Sequence, residues 1–242
     1  MTFFKKLLLG AICLVFLCTS CTNRNPTEIP LTIQQDSTDL IEMAKKARET
    51  ITAKVADGLE LSLWASDSLA PDPIAMDIDN EGNVYITRSN RNKNSEFDIR
   101  SHRDWMTESI ALESVEDRRA FLHKTFAPEL SKENEWFPDL NNDSIHDWQD
   151  LTVEQDEIWM IQDLDKDGIA DVSTQIMNDF NDEINDQAGA LLVRDNDVFV
   201  GIGPGMYRLT DTNGDKILDE KTSIATGFAV HIGFSGHGMS GA

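Results

Sequence analysis

Asp163, Asp165, Asp167 and Asp171 occupy the first, third, fifth and ninth places of one short run, with Gly168 at the sixth. Alternate carboxylates on a curled backbone converge on one point, and the glycine permits the sharp turn that brings them there. The main-chain carbonyl of Ile169 adds a further oxygen. A set of this kind suits a hard cation taking six to eight oxygens at ~2.3–2.6 Å, and Ca²⁺ is the expected ion.

Two further runs share the pattern. Asp211, Asn213, Asp215 and Asp219 form a second copy with Lys216 at the sixth place, so its turn differs and its charge is lower. Asp139, Asn141, Asp143 and Asp147 form a third, with Asp150 at the twelfth place. In the first run Thr174 stands where the EF-hand pattern has a bidentate glutamate, and no helical pattern flanks the loop. The expectation is a strand-flanked calcium loop of structural rather than sensing kind. The competing reading is an Asx-rich turn whose carboxylates bind only backbone N–H groups. Crowding favours the metal, because carboxylates packed together without a cation repel one another.

The first two runs belong to a longer repeat. Residues 159–171 align with 207–219 at an offset of 48, and the match continues to Thr174 and Thr222. A unit of that length built from short strands is the size of one propeller blade, whereas solenoid repeats of similar length are mostly helical.

Total charge agrees with cation binding. Against 21 Lys+Arg the chain has 43 Asp+Glu, a net −22, and between Glu133 and Asp186 there are 17 acids and one base, Lys166. Phosphate backbones would repel such a surface, and no basic patch offsets it, so nucleic acid is not an expected partner.

Other chemistries find less support. Gly201-Ile202-Gly203-Pro204-Gly205 is followed by a strand pattern rather than a helix start, so it is not a phosphate loop. No nucleophile elbow surrounds Ser235 or Ser240, and no Cys-x-x-Cys-His haem attachment is present. The glycine-rich run 230–241 leaves His237 sparsely shielded, a suitable place for a general base, although a histidine there also serves as a simple turn residue.

These residues must be positioned by short strands. Extended runs are predicted at 59–64, 73–78, 83–87, 157–161, 172–177, 190–194, 197–202, 206–209 and 229–234, with a hairpin turn at 79–83. A helical insertion is expected over 101–130, capped at Ser114 with Asp117 three residues on and closed by Pro128. Apolar spacing at Leu40, Met43, Ala44, Ala47 and Ile51 predicts a short amphipathic helix within 39–57. The fold class expected is all-β, with the strands from 59 to 242 forming the main body.

The N-terminus is a targeting segment. Lys5 and Lys6 precede an apolar run from Leu7 to Leu17, too short to span a bilayer and right for a secretory signal over residues 1–20. Leu17-Cys18-Thr19-Ser20-Cys21 resembles a bacterial lipobox, with Cys18 where leucine is usual. The resemblance makes Cys21 the lipidated residue of an exported, membrane-anchored lipoprotein facing the periplasm or cell surface. Residues 21–38, polar and containing Pro26 and Pro30, are read as a flexible tether. All three cysteines lie at this end, so no intrachain disulfide is expected in the mature chain.

The successive motifs resemble a known family. Leu61-Ser62-Leu63-Trp64-Ala65-Ser66, the Asp163 to Gly168 loop, the Asp195 to Val200 strand, Tyr207 to Asp215, and Gly227 to Gly238 are together similar to the β-propeller of bacterial membrane-bound dehydrogenase-like lipoproteins. These are related to the quinoprotein glucose and sorbosone dehydrogenases. The resemblance implies a partial propeller over 59–242 with the 101–130 insertion, PQQ as cofactor, and oxidation of a sugar or alcohol. Electrons would pass to a c-type cytochrome partner or to a haem c domain beyond Ala242. It makes His237 the candidate base, through the similarity of His237-Gly238-Met239-Ser240-Gly241 to the family's catalytic histidine motif, with one extra residue in the spacing. The family's cofactor-binding arginine, lysine and calcium ligands would lie past the last residue, and the chain is accordingly read as a truncated piece. The rival reading is a non-catalytic, calcium-stabilised propeller that binds carbohydrate or protein.

Overall fold

Strand Val84–Ser89 (β3) lies inside the first sheet, with its first four side chains buried on both faces. The computed structural model describes residues 31–235 and 238–241. Around β3 lie β1 (Thr32–Gln34), β2 (Met76–Ile78), β4 (Asp156–Gln162) and β5 (Val172–Asp179), in the spatial order β1-β5-β4-β3-β2 and antiparallel throughout. A second antiparallel sheet is a meander of β6 (Ala188–Arg194), β7 (Asp197–Ile202), β8 (Gly205–Thr210) and β9 (Glu220–Thr226). Helices are few: α1 (Ser37–Thr50), α2 (Met106–Ile110) and α3 (Val115–Thr125), with short 3-10 turns such as Trp148–Thr152. The all-β class therefore holds, and the two sheets do not close into a ring.

Period-two alternation explains how the layers stack. From the first sheet, Tyr85, Ile158, Met160 and Ile176 meet Leu191, Val198, Val200 and Leu209 of the second in one shared core. From the opposite face, Val84, Ile86, Trp159 and Ile161 pack on Leu40 of α1 and on Leu69. The first sheet is thus the middle layer, and the central run Ile158 to Ile161 of β4 is continuously apolar for that reason.

The insertion between β3 and β4 has its own core of Phe121, Leu122, Phe126, Phe137 and Leu151. Its main helix starts as expected: Ser114 accepts the N–H of Asp117 at 3.1 Å. Ile232 of the C-terminal segment is buried in this core. Ser109 Oγ accepts the N–H of Ile232 at 3.0 Å, and Arg118 Nη1 donates to the carbonyl of Ala229 at 2.6 Å.

Four expectations change. Residues 59–64 form no strand; the carbonyl of Trp64 instead accepts the N–H of Ala170 at 2.8 Å, tying that segment to the first acidic loop. Residues 229–234 are irregular because their backbone bonds go to the insertion, not to a neighbouring strand. Part of the supposed tether, Thr32–Gln34, pairs with Val172–Thr174 as an edge strand. Strand β9 was not expected, since its residues are mostly exposed and alternate in no apolar pattern. The leader, the lipobox with Cys21 and the candidate base His237 lie outside the described residues. Among the described residues no helix is long and apolar enough to cross a membrane.

Candidate metal centre

The two copies of the repeat occupy equivalent places in their sheets. Asp163 to Asp171 joins β4 to β5, the third and fourth strands of the run β2-β3-β4-β5, and Asp211 to Asp219 joins β8 to β9, the third and fourth of β6-β7-β8-β9; in the first sheet β1 adds a strand beyond β5. Their internal bonding is also the same. In the first loop Asp163 Oδ1 accepts the N–H of Lys166 at 2.7 Å and Oδ2 that of Gly168 at 3.0 Å. In the second Asp211 Oδ1 accepts from Gly214 at 2.7 Å and Oδ2 from Lys216 at 2.8 Å. The ninth-place acids close both loops: Asp171 accepts the N–H of Leu164 at 2.7 Å and Asp219 that of Thr212 at 3.0 Å.

Convergence is clearest in the first loop. Carboxylate oxygens of Asp163, Asp165 and Asp171 all lie within 4.8 Å of one another, a separation one cation could bridge. Asp167 accepts the N–H of Ile169 at 2.9 Å and is not in that cluster. The left-handed backbone falls at Gly168, the sixth place marked for a sharp turn, with φ of 90°, and also at Lys166, with φ of 64°. In the second loop Lys216 takes the left-handed position that Gly168 holds in the first, at φ 70°.

The third loop is built differently. Asp139 accepts the N–H groups of Asp143 and Ser144, Asn141 that of Asp143, and Asp143 that of Ile145, which repeats the turn. The closing acid, however, is Asp150: its Oδ1 accepts from Leu140 at 2.8 Å and Asn141 at 3.1 Å, and its Oδ2 from Asp147 at 3.0 Å. Asp147 accepts the N–H of Gln149 and caps the 3-10 turn that follows. Burial, together with the charges of Asp143 and Asp150, raises the Asp147 carboxyl above the usual range. The twelfth-place acid was visible in the sequence; its precedence over the ninth was not.

Two buried charged groups escaped sequence reasoning. Asp156 is fully buried, with a carboxyl pushed up to about 6 chiefly by burial, against the pull of Ser89, the Ala188 N–H and Arg91. Arg91, also fully buried, donates to the carbonyls of Leu151 at 2.8 Å and Asn185 at 3.3 Å, linking the insertion to the start of the second sheet. Neither shows in the sequence, because a lone Asp or Arg in a polar stretch reads as solvated.

A polar cleft of about 540 Å³ lies between the hairpin turn at 79–83, the β6–β7 turn and the second acidic loop, lined by Asp79, Glu81, Tyr85, Arg194, Asp195 and Lys216 among others. Burial pushes the Tyr85 phenol up to about 12, and the charges of Asp79, Glu81 and Asp211 add to it. The C-terminal glycine-rich segment borders a different group: Ser235 donates to Glu96 at 3.3 Å, and a Cβ on Gly238 would meet Gln187 at 3.3 Å.

Among known proteins, the chain matches a family described as "Domain of unknown function (DUF7133)" over residues 45–239. No curated protein and no solved structure matches it.

Proposed function

The chain belongs to the DUF7133 family, and from that premise we propose that it is an exported, lipid-anchored, calcium-stabilised β scaffold whose two sheets are successive blades of a propeller. The observation that carries the reading is the convergence of Asp163, Asp165 and Asp171 within 4.8 Å, in a loop whose position recurs 48 residues later in the second sheet. Hard carboxylate oxygens on a preformed turn suit Ca²⁺, and the ion would rigidify the outer hairpin of each blade.

Calcium would be held by Asp163, Asp165 and Asp171 with the Ile169 carbonyl in the first loop, by Asp211, Asn213, Asp215 and Asp219 in the second, and by Asp139, Asn141, Asp143 and Asp150 in the third. Each ion would offset the mutual repulsion of its carboxylates, so the holo form is the stable one.

The described residues offer no cradle for the quinone of the dehydrogenase reading. PQQ is a quinone with three carboxylates and needs several convergent cations. Beside the segment that carries His237, Arg118 is engaged with Asp186 at 2.7 Å and Arg100 with Asp98. We therefore derive no step through PQQ, and His237 as a base, a sugar or alcohol substrate and a c-type haem partner stay tied to the sequence resemblance alone. The scaffold reading needs none of them.

The deciding experiment is a calorimetric Ca²⁺ titration of the mature chain, paired with thermal melts in Ca²⁺ and in chelator. Saturable binding with a higher Tm in Ca²⁺ is expected; at a free concentration a hundredfold above Kd the gain is about 2.7 kcal/mol per site. Identical melts in both conditions would reduce the loops to Asx turns.

A further inference from the structure

Asn213-Gly214, in the second acidic loop, is the sole Asn-Gly pair in the chain. Both residues are exposed, and a Cβ placed on Gly214 would meet nothing within 4 Å. The pair therefore lies in an open, solvent-accessible turn.

The polar contacts around this pair are those that attack on a carboxamide needs. Gly214 N–H donates to Asp211 Oδ1 at 2.7 Å, so a carboxylate is in place to take the proton from the attacking nitrogen. Asp215 N–H donates to Asn213 Oδ1 at 2.9 Å, the oxygen on which negative charge develops. Asn213 Nδ2, the departing nitrogen, donates to Asp219 Oδ2 at 3.3 Å.

We propose that Asn213 is a site of self-assisted deamidation, promoted by the folded loop, which installs in the second loop the third-place carboxylate that the first loop has at Asp165. The Gly214 nitrogen bonds to Asn213 Cγ as the Cγ–Nδ2 bond breaks. Asp211 takes the proton from Gly214, and the leaving nitrogen, exposed beside Asp219, takes one from solvent and departs as ammonia. Water then opens the succinimide to aspartate or isoaspartate; each adds one negative charge, and the aspartate product is the one that matches Asp165. Asn141 is the internal comparator: it occupies the same third place and accepts the Asp143 N–H at 2.9 Å, but is followed by Asn142, whose side chain hinders ring closure.

The consequence for cation binding rests on the calcium reading; the deamidation does not, so the test is run in chelator. The full mature chain and a synthetic peptide of residues 209–216 are incubated side by side at neutral pH. Tryptic mapping then follows the amide-to-acid mass gain and isoaspartate. Conversion at Asn213 is expected to be severalfold faster in the folded chain than in the peptide, and faster than at Asn141. Asp211→Asn should slow it severalfold while melts show the sheets intact, and the peptide carrying the same change should react like the unchanged peptide. A folded chain that converts Asn213 no faster than the peptide overturns the proposal.

Discussion

Asp156 Oδ2 accepts the main-chain N–H of Ala188 at 2.7 Å, across the seam between the two sheets. Ala188 is the first residue of β6, and its carbonyl accepts the Thr87 hydroxyl at 2.7 Å, so both of its backbone groups are held by side chains of the neighbouring sheet. Farther along β6 the Val193 N–H donates to Asp77 at 2.6 Å. Three polar side chains of the first sheet thus fix where the second begins, and buried backbone groups near a bulge find partners there.

Stability should depend on pH through Asp156. Its folded-state value of about 6 lies above the ordinary 3.8, so protonation favours the native state. The contribution is full below 3.8 and lost as pH rises through about 6, on the order of 2–3 kcal/mol across that window. Asp156→Asn, permanently neutral, lacks this dependence. Urea midpoints of the two proteins should therefore converge or diverge by that amount between the two pH limits; a constant difference refutes the assignment.

Asp150→Ala should cost about 3 kcal/mol, because three N–H donors, from Leu140, Asn141 and Asp147, lose their acceptor. Asp147→Ala removes one capping bond and should cost about 1 kcal/mol. Denaturant unfolding in chelator gives the ranking, and a larger loss for Asp147 would contradict the bonding described.

Gly168 has φ 90°, which side-chain-bearing residues rarely adopt. Gly168→Lys is expected to destabilise by roughly 1–2 kcal/mol, and to weaken Ca²⁺ binding at the first loop by forcing the turn to relax. The mirror change, Lys216→Gly, relieves the same strain in the second loop and should be neutral or stabilising. Melting curves of the two variants decide it.

Arg119 joins α3 to the segment before β6 by contacting Asp182 at 3.0 Å and the buried Glu183, which also accepts from His123 at 2.8 Å. Arg119→Met should cost about 2 kcal/mol by leaving Glu183 short of a cation. Although burial acts against it, the Arg119 hydrogen bonds hold Asp182 down at about 2. Stability from that pair is present above 3.8 and disappears as pH falls to about 2, a step the variant should lack in acid titration followed by tryptophan fluorescence.

The acidic loops, the hairpin at 79–83, the helix cap at Ser114 and the strands β3 to β8 were legible because each is written in local spacing. Strands β1 and β9 were not, since an edge strand with exposed side chains has no apolar alternation to read. The run 229–234 misled for the opposite reason: it has the alternation of a strand, but its backbone partners belong to an insertion about a hundred residues earlier in the chain.

By itself the sequence determined which loops curl, because Asx and glycine turns are governed by neighbours a few residues apart. Only the tertiary structure decided that Asp150 outranks Asp147 in the third loop, that Asp156 and Arg91 are buried, and that Ala188 is clasped by Asp156 and Thr87. Those depend on contacts between distant segments, where desolvation rather than residue type sets what a charge does.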